Sequence, residues 1–359
     1  MSLMNLNEMK LYENFLKKEL VSVACIVDEE GYYPESIMRG LGELGAFQVS
    51  GLSEQDALSK RLELIELSAK YCVSTSFLIW CHTTAISFVL NSNNEYLKKK
   101  LLPLLEDGQV LAGTGLSNPM KYYAGMEPIR LKAKRVDKGY KISGVTPYVS
   151  NVGPGHWFGI IAQVNEKQRI FTMVDCDSLG LSMTEHKDFS GLNGTRSFTC
   201  RFNDVFIPNE FIISDSADQF IPMIRSSFVL TQVGMGLGLV QASVDTMLKA
   251  MNKQNGTNRY MDICPSQILD QVTALQQKAY LLSGSSKDED FISAVQIRLQ
   301  TAELALKATE TAVLYQGAAG YFRKSDCMRR LREALFIAVV TPAIKHLKRL
   351  LHERNSVLS

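Results

Sequence analysis

Ile129-Arg-Leu-Lys-Ala-Lys-Arg-Val-Asp-Lys-Gly-Tyr-Lys-Ile-Ser-Gly144 is the stretch on which the fold turns. Ile129, Leu131 and Ala133 alternate with Arg130, Lys132 and Lys134, a period of two that lines one face of a strand with apolar groups. Asp137-Lys-Gly139 then reads as a tight hairpin into a second strand. Phe198, Cys200 and Phe202 repeat the alternation, and Gly153-Pro-Gly155 and Gly191-Leu-Asn-Gly194 mark further turns. Helical stretches of roughly 10 to 15 residues would separate the strands of a parallel nucleotide-binding sheet. None does so here, which predicts a small antiparallel β-barrel or sandwich.

Outward from this centre the period changes to that of helices. From Asn5 to about Leu105 apolar residues recur every three or four positions, with breaks at Glu30-Gly31, Gly51-Leu-Ser53 and Asn91 to Asn94, and a helix start at Ser53 with Asp56. After Pro208 four long helical runs follow: Ser227 to Met251, Pro265 to Leu282, Asp288 to Gly317 and Met328 to Leu351. They predict an up-and-down four-helix bundle whose last member is kinked or split at Pro342. The expected fold class is α+β multidomain: an N-terminal helical domain over 1–108, a central β-domain over 109–213 and a C-terminal bundle over 214–359.

Composition narrows the function classes. A chain of 359 residues, 46% hydrophobic and 21% charged, can bury a large core and should fold throughout. Its 39 basic and 37 acidic side chains leave a formal charge of +2, which argues against nucleic acid as a partner. The opening residues carry charges and no signal-peptide core, and the greasy stretch Ser226 to Met251 is interrupted by Gln232, Gln241 and Asp245. A cytoplasmic protein without membrane insertion is expected. Seven scattered cysteines with no CxxC pair read as buried free thiols, and five histidines at no ligand spacing predict no metal.

Two glycine clusters fail as chemistry. Gly234-Met-Gly-Leu-Gly238 lacks dinucleotide spacing and follows no strand, so close helix packing explains it. Gly115-Leu-Ser117 would need glycine at 119 to be a nucleophile elbow, and Pro119 is there.

Three segments together resemble the acyl-CoA dehydrogenase family. Leu102-Pro-Leu-Leu-Glu-Asp-Gly108 with Gly113-Thr-Gly-Leu-Ser-Asn-Pro119 is similar to "LPxLxxG … xTEP". Gly139-Tyr-Lys-Ile-Ser-Gly144 through Tyr148-Val-Ser-Asn151 resembles "GGYxLxGxKxWITN", and Gly194-Thr-Arg-Ser197 with Phe202-Asn-Asp-Val-Phe-Ile-Pro208 resembles "GxRxSxT … FxxVxVP". Gly317-Ala-Ala-Gly-Tyr321 through Arg329-Arg-Leu-Arg-Glu-Ala334 is similar to "GGxGY … RxxRDA". The resemblance implies a flavin, FAD with FMN as the alternative, between the β-domain and the bundle. It places Ser117 at a flavin-bonding Thr, with backbone contact from Leu116. Ser150 stands at the "WIT" Thr and Tyr148 at the ring-packing Trp. Gly317 and Gly320 match glycines that let the dinucleotide approach a helix start. Turn hydroxyls, a core tyrosine and a plain helix-breaking turn are the alternative readings of these positions.

The same resemblance implies α,β-dehydrogenation of an acyl thioester, on CoA or a carrier protein, an electron-transfer or reductase partner, and a homodimer or homotetramer. Departures from the pattern bear on the reaction. The family's catalytic Glu falls on Thr341, and the alternative site in the first bundle helix falls on Phe228. A neutral hydroxyl has too high a pKa to abstract an α-proton unaided. Glu333, His346, Asp215 and Asp218 are nearby in sequence, each also explained as an ion pair or helix-end charge. The adenine-half contacts are eroded too: Leu314 replaces the glutamine, and Arg259-Tyr260 is a loose counterpart of "RxxF". A flavin-dependent monooxygenase of the same fold and a non-catalytic ligand-binding or scaffold descendant are the competing readings.

Overall fold

The computed structural model describes residues 6–284 and 290–358. Seven helices come first: α1 (Leu6–Glu19), α2 (Ala24–Glu29), α3 (Glu35–Glu43), α4 (Glu54–Ala69), α5 (Val73–Leu90), α6 (Glu95–Lys100) and α7 (Leu102–Glu106). Local chemistry sets their limits. The Ser53 side chain accepts from the Asp56 amide to start α4, as the sequence predicts. Gly31, at φ +69°, takes the left-handed turn just after α2.

The middle of the chain is β1 (Ala112–Thr114), α8 (Ser117–Tyr123), β2 (Lys132–Val136), β3 (Gly139–Val149), β4 (Trp157–Asn165), β5 (Gln168–Asp175), β6 (Leu181–His186), β7 (Ser197–Pro208) and β8 (Ile212–Ser214). They form one eight-stranded sheet in the order β6-β7-β3-β2-β4-β5-β8, with β1 beside β4. The expected hairpin is present, with Val136 opposite Gly139. Its left-handed residue is Lys138, at φ +58°, while Gly139 serves a close approach to the Ile207 carbonyl.

The sheet corrects the antiparallel barrel or sandwich expected from the sequence. It is mixed and open: β4 runs parallel to both β1 and β2. β3 is already flanked by β2 and β7. The chain therefore skips β3 and lays β4 beside β2, and a strand that skips its antiparallel predecessor runs parallel to the one before.

The last region holds α9 (Ala217–Thr231), α10 (Val233–Ala250), α11 (Pro265–Ser283), α12 (Phe291–Gln316), α13 (Ala318–Tyr321), α14 (Asp326–Val339) and α15 (Ile344–Leu358). The four expected runs are thus more helices than four: the first extends back through α9, and Pro342, after a cis bond from Thr341, divides the last into α14 and α15. Positions 288 and 289 of the expected third run lie outside the described residues. Gly234, Gly236 and Gly238 let α10 press against α4 and α12. A Cβ at 234 would stand 2.9 Å from the Leu62 carbonyl, at 236 it would strike Thr301, and at 238 the Glu66 carbonyl.

Two apolar cores result. Phe158, Ile160 and Ala162 of β4 belong to a core inside the sheet. Ile161 between them faces a larger core shared by both helical regions, where Phe171 meets Phe88 and Phe220 edge to face at 4.9 and 5.2 Å. Two helical stretches, Val73–Leu90 and Ala217–Ala250, are long and apolar enough to cross a membrane, and 94% and 89% of their apolar windows are buried in this core. Five thiols are buried, but Cys25 and Cys264 are exposed, against the expectation that all pack inside.

Candidate functional site

A cavity of about 930 Å³ opens where the sheet meets α5, α9, α14 and α15. One wall is aromatic. Phe77 and Trp80, one turn apart on α5, stack with ring centres 5.6 Å apart, and Phe336 and Phe228 meet them edge to face at 4.7 and 4.9 Å. Trp80 donates to the Thr231 hydroxyl, so its polar edge is satisfied.

Hydroxyls line the same cavity. Ser150 pairs with Ser197 at 2.5 Å, and Ser197 with Thr195 at 3.0 Å. Ser150 reaches this place because β1 bridges to it at Thr114, and Gly113 leaves room for its carbonyl. Ser117, the first residue of α8, meets Thr341 hydroxyl to hydroxyl at 2.9 Å. The Thr341 carbonyl accepts from Gln232, whose own carbonyl accepts from the buried Arg298. Tyr148 stands at the rim, 59% exposed, at φ +58°, with its ring 5.1 Å from His186 and 6.4 Å from Phe189.

Ser117, Tyr148, Ser150 and Thr341, far apart in sequence, thus line one cavity. Leu116 lies behind it, fully buried, its carbonyl capturing the Met120 amide. Gly317 and Gly320 do not line it; Gly317, at φ +61°, makes the turn from α12 into α13, and Gly320 is buried within α13. Among the four charged candidates His346 alone lines the cavity. Glu333 is buried against Arg329, Asp215 accepts from Tyr140, and Asp218 pairs with Arg169 at 2.6 Å.

Sequence reading missed Glu127, the one carboxylate among the described lining residues. Burial raises its pKa, but the Asn118 amide and the charges of Lys121 and Arg130 outweigh that and hold it below the ordinary range. His346 is also held below its ordinary range, by burial and then by Lys121 and Lys345. Its Nδ1 accepts from the Ala343 amide at 3.3 Å. Thr195 and Ser197 lie in a quoted motif, yet no local signal distinguishes them from turn residues.

These residues fit a flavin. The cavity is of a size suited to cofactors, and each paired hydroxyl keeps capacity for one more hydrogen bond. The class this architecture defines is a helix, sheet and helix protein with a ring-sized cleft at the seam. Residues 9–109 match the family described as acyl-CoA dehydrogenase, N-terminal domain. The chain is 22% identical to cyclohexane-1-carbonyl-CoA dehydrogenase of Geobacter metallireducens, over 89% of this chain and 88% of that protein. Its fold superposes on butyryl-CoA dehydrogenase from Megasphaera elsdenii with a TM-score of 0.87 at 17% identity, covering 99% and 100% of the two chains. It superposes on the prolyl acyl carrier protein oxidase AnaB with a TM-score of 0.82 at 14% identity, covering 98% and 99%. The N-terminal family match, the relatives and the superposed folds together support the acyl-CoA dehydrogenase family for this chain.

Proposed function

We propose that this protein is a flavin-dependent oxidoreductase that takes the α-proton and β-hydride from an acyl thioester carried on CoA or a carrier protein. The observation that carries the reading is the cavity, lined by Ser117, Ser150 and Tyr148 together with an aromatic cluster, with Thr341 against Ser117. A flavin bound there, FAD in this reading with FMN as the alternative, supplies the hydride acceptor. Ser117 and Ser150 orient the ring through their remaining hydrogen-bond capacity, and Tyr148 covers its edge. Trp80, Phe228 and Phe336 keep water from the reacting carbons.

Thr341 cannot serve as base, so the α-proton passes to Nδ1 of His346, which gives up its long hydrogen bond from the Ala343 amide to take it while Nε2 keeps its own hydrogen. Its depressed pKa keeps the imidazole neutral near pH 7 and able to accept a proton. Glu127 is a weaker acceptor because its donors and cations stabilise the charged form. The cationic Lys121 and Lys345 at the same cavity suit a substrate that carries phosphate, as both CoA and a carrier-protein arm do.

The test is the visible spectrum of the purified protein, identification of released flavin, and anaerobic mixing with acyl thioesters of graded length. Bleaching of the flavin by at least one thioester is expected; no bleaching by any rejects dehydrogenation. The neutral Thr341 favours a second reading, a monooxygenase supplied with reduced flavin by a partner. Oxygen uptake with added reduced flavin, together with no bleaching, would select it.

A further inference from the structure

Below the start of α4 and the end of α5 lies a separate cavity of about 230 Å³, and Arg61 lines it. Arg61 is 6% exposed. Among the described residues its guanidinium donates one long hydrogen bond, to the Thr84 hydroxyl at 3.4 Å, and its Nε has no partner. Burial pulls its pKa down to about 10, with no charged neighbour among the described residues offsetting the loss. Arg329 faces Glu333 and Asp326, whereas Arg298, which also has no counterion among the described residues, has two hydrogen bonds, to Gln232 and the Ile337 carbonyl, and does not line this cavity. A cation without a counterion inside a protein is costly.

The rest of the cavity says what would answer that charge. Leu58 and Leu90 give it aliphatic walls, while Ser87, Asn91 and Ser227 are polar. Both serine hydroxyls already donate to backbone carbonyls, and Asn91 uses one amide hydrogen on the Ser87 carbonyl. The free donors are therefore the guanidinium fork and one amide hydrogen, a set that matches a carboxylate. Glu54, exposed and two helical turns before Arg61, stands at the same cavity as the chain's own competing anion.

We propose that this cavity is a binding site for a small organic carboxylate with a short aliphatic body, its carboxylate paired with Arg61 and its chain between Leu58 and Leu90. The site is separate from the large cleft and does not rest on the redox reading.

Thermal unfolding of the full chain with hexanoate, or with the neutral hexanamide, tests it. Saturating hexanoate is expected to raise the midpoint by about 2 °C for the wild type and for E54Q, while hexanamide does nothing. R61M removes an unpaired buried charge, so it should fold and lose the response. The proposal is overturned if hexanoate stabilises neither wild type nor E54Q, if hexanamide works equally well, or if R61M keeps the shift. Should R61M fail to accumulate, the comparison of acid with amide on the wild type decides.

Discussion

The hydroxyls of Ser117 and Thr341, 2.9 Å apart, tie the first turn of α8 to the loop between α14 and α15. Gln232 and Arg298 hold the same loop from behind. S117A and T341V break one shared bond, so each should cost about 1 kcal/mol of stability, and the double variant little more than either. Denaturant unfolding of the four proteins measures this; strictly additive losses would show that the two hydroxyls do not act as a pair.

Glu333 lies fully buried, accepting from Arg329 at 3.0 and 3.2 Å and from the Val73 amide at 3.1 Å. E333A would leave the buried Arg329 with only the more exposed Asp326 as counterion and cost about 3 kcal/mol. A drop in the unfolding midpoint is expected. Unaltered stability with lost turnover would instead make Glu333 a catalytic group.

His82 is fully buried, with Nε2 on the Leu105 carbonyl at 2.9 Å and Nδ1 taking the Ala112 amide at 3.1 Å. Both bonds fix the neutral tautomer, and burial drives the pKa down to about 3. The folded form binds the proton more weakly than the unfolded chain, whose histidine titrates near 6.5. This contribution is therefore complete above about pH 6.5 and is lost as pH falls towards 3, by up to about 1.4 kcal/mol per unit. An H82N variant, lacking the titration, should show a flatter decline of stability between pH 6 and 4. Parallel curves would exclude His82 as the source.

If His346 accepts the α-proton, H346Q should slow flavin reduction by a thioester about 100-fold while E127Q changes it less than about tenfold. As pH falls through the depressed pKa of His346 the imidazolium forms and the rate should fall. That acidic limb should be absent in H346Q. The reverse ranking of the two variants would move the role to Glu127.

Much of the architecture was legible because it is written in local periods. The alternation of Ile129 to Ala133, the turn before Gly139, the cap at Ser53 and the break at Pro342 each act within a few residues. The parallel pairing of β2 with β4 was not, since it depends on β7, a strand distant in sequence, occupying the other edge of β3. In the site, Ser117, Tyr148, Ser150 and Thr341 were found through motif resemblance, and only folding shows that they share one cavity. Glu127 was hidden because Asn118 and Lys121, which give it its setting, sit on a short helix with no periodic signal. Arg61 was hidden for the opposite reason. A charged residue within a periodic helix reads as solvated surface, and its burial comes from α5 and distant α9 packing over it.

The larger core draws on residues from both ends of the chain, Leu62 and Phe88 beside Val229, Leu237 and Ala302. Cleaving the polypeptide near Gly108 would thus bare greasy surface on each product at once. Neither fragment should persist in dilute buffer by itself, though the two, refolded together, could reunite as a nicked whole.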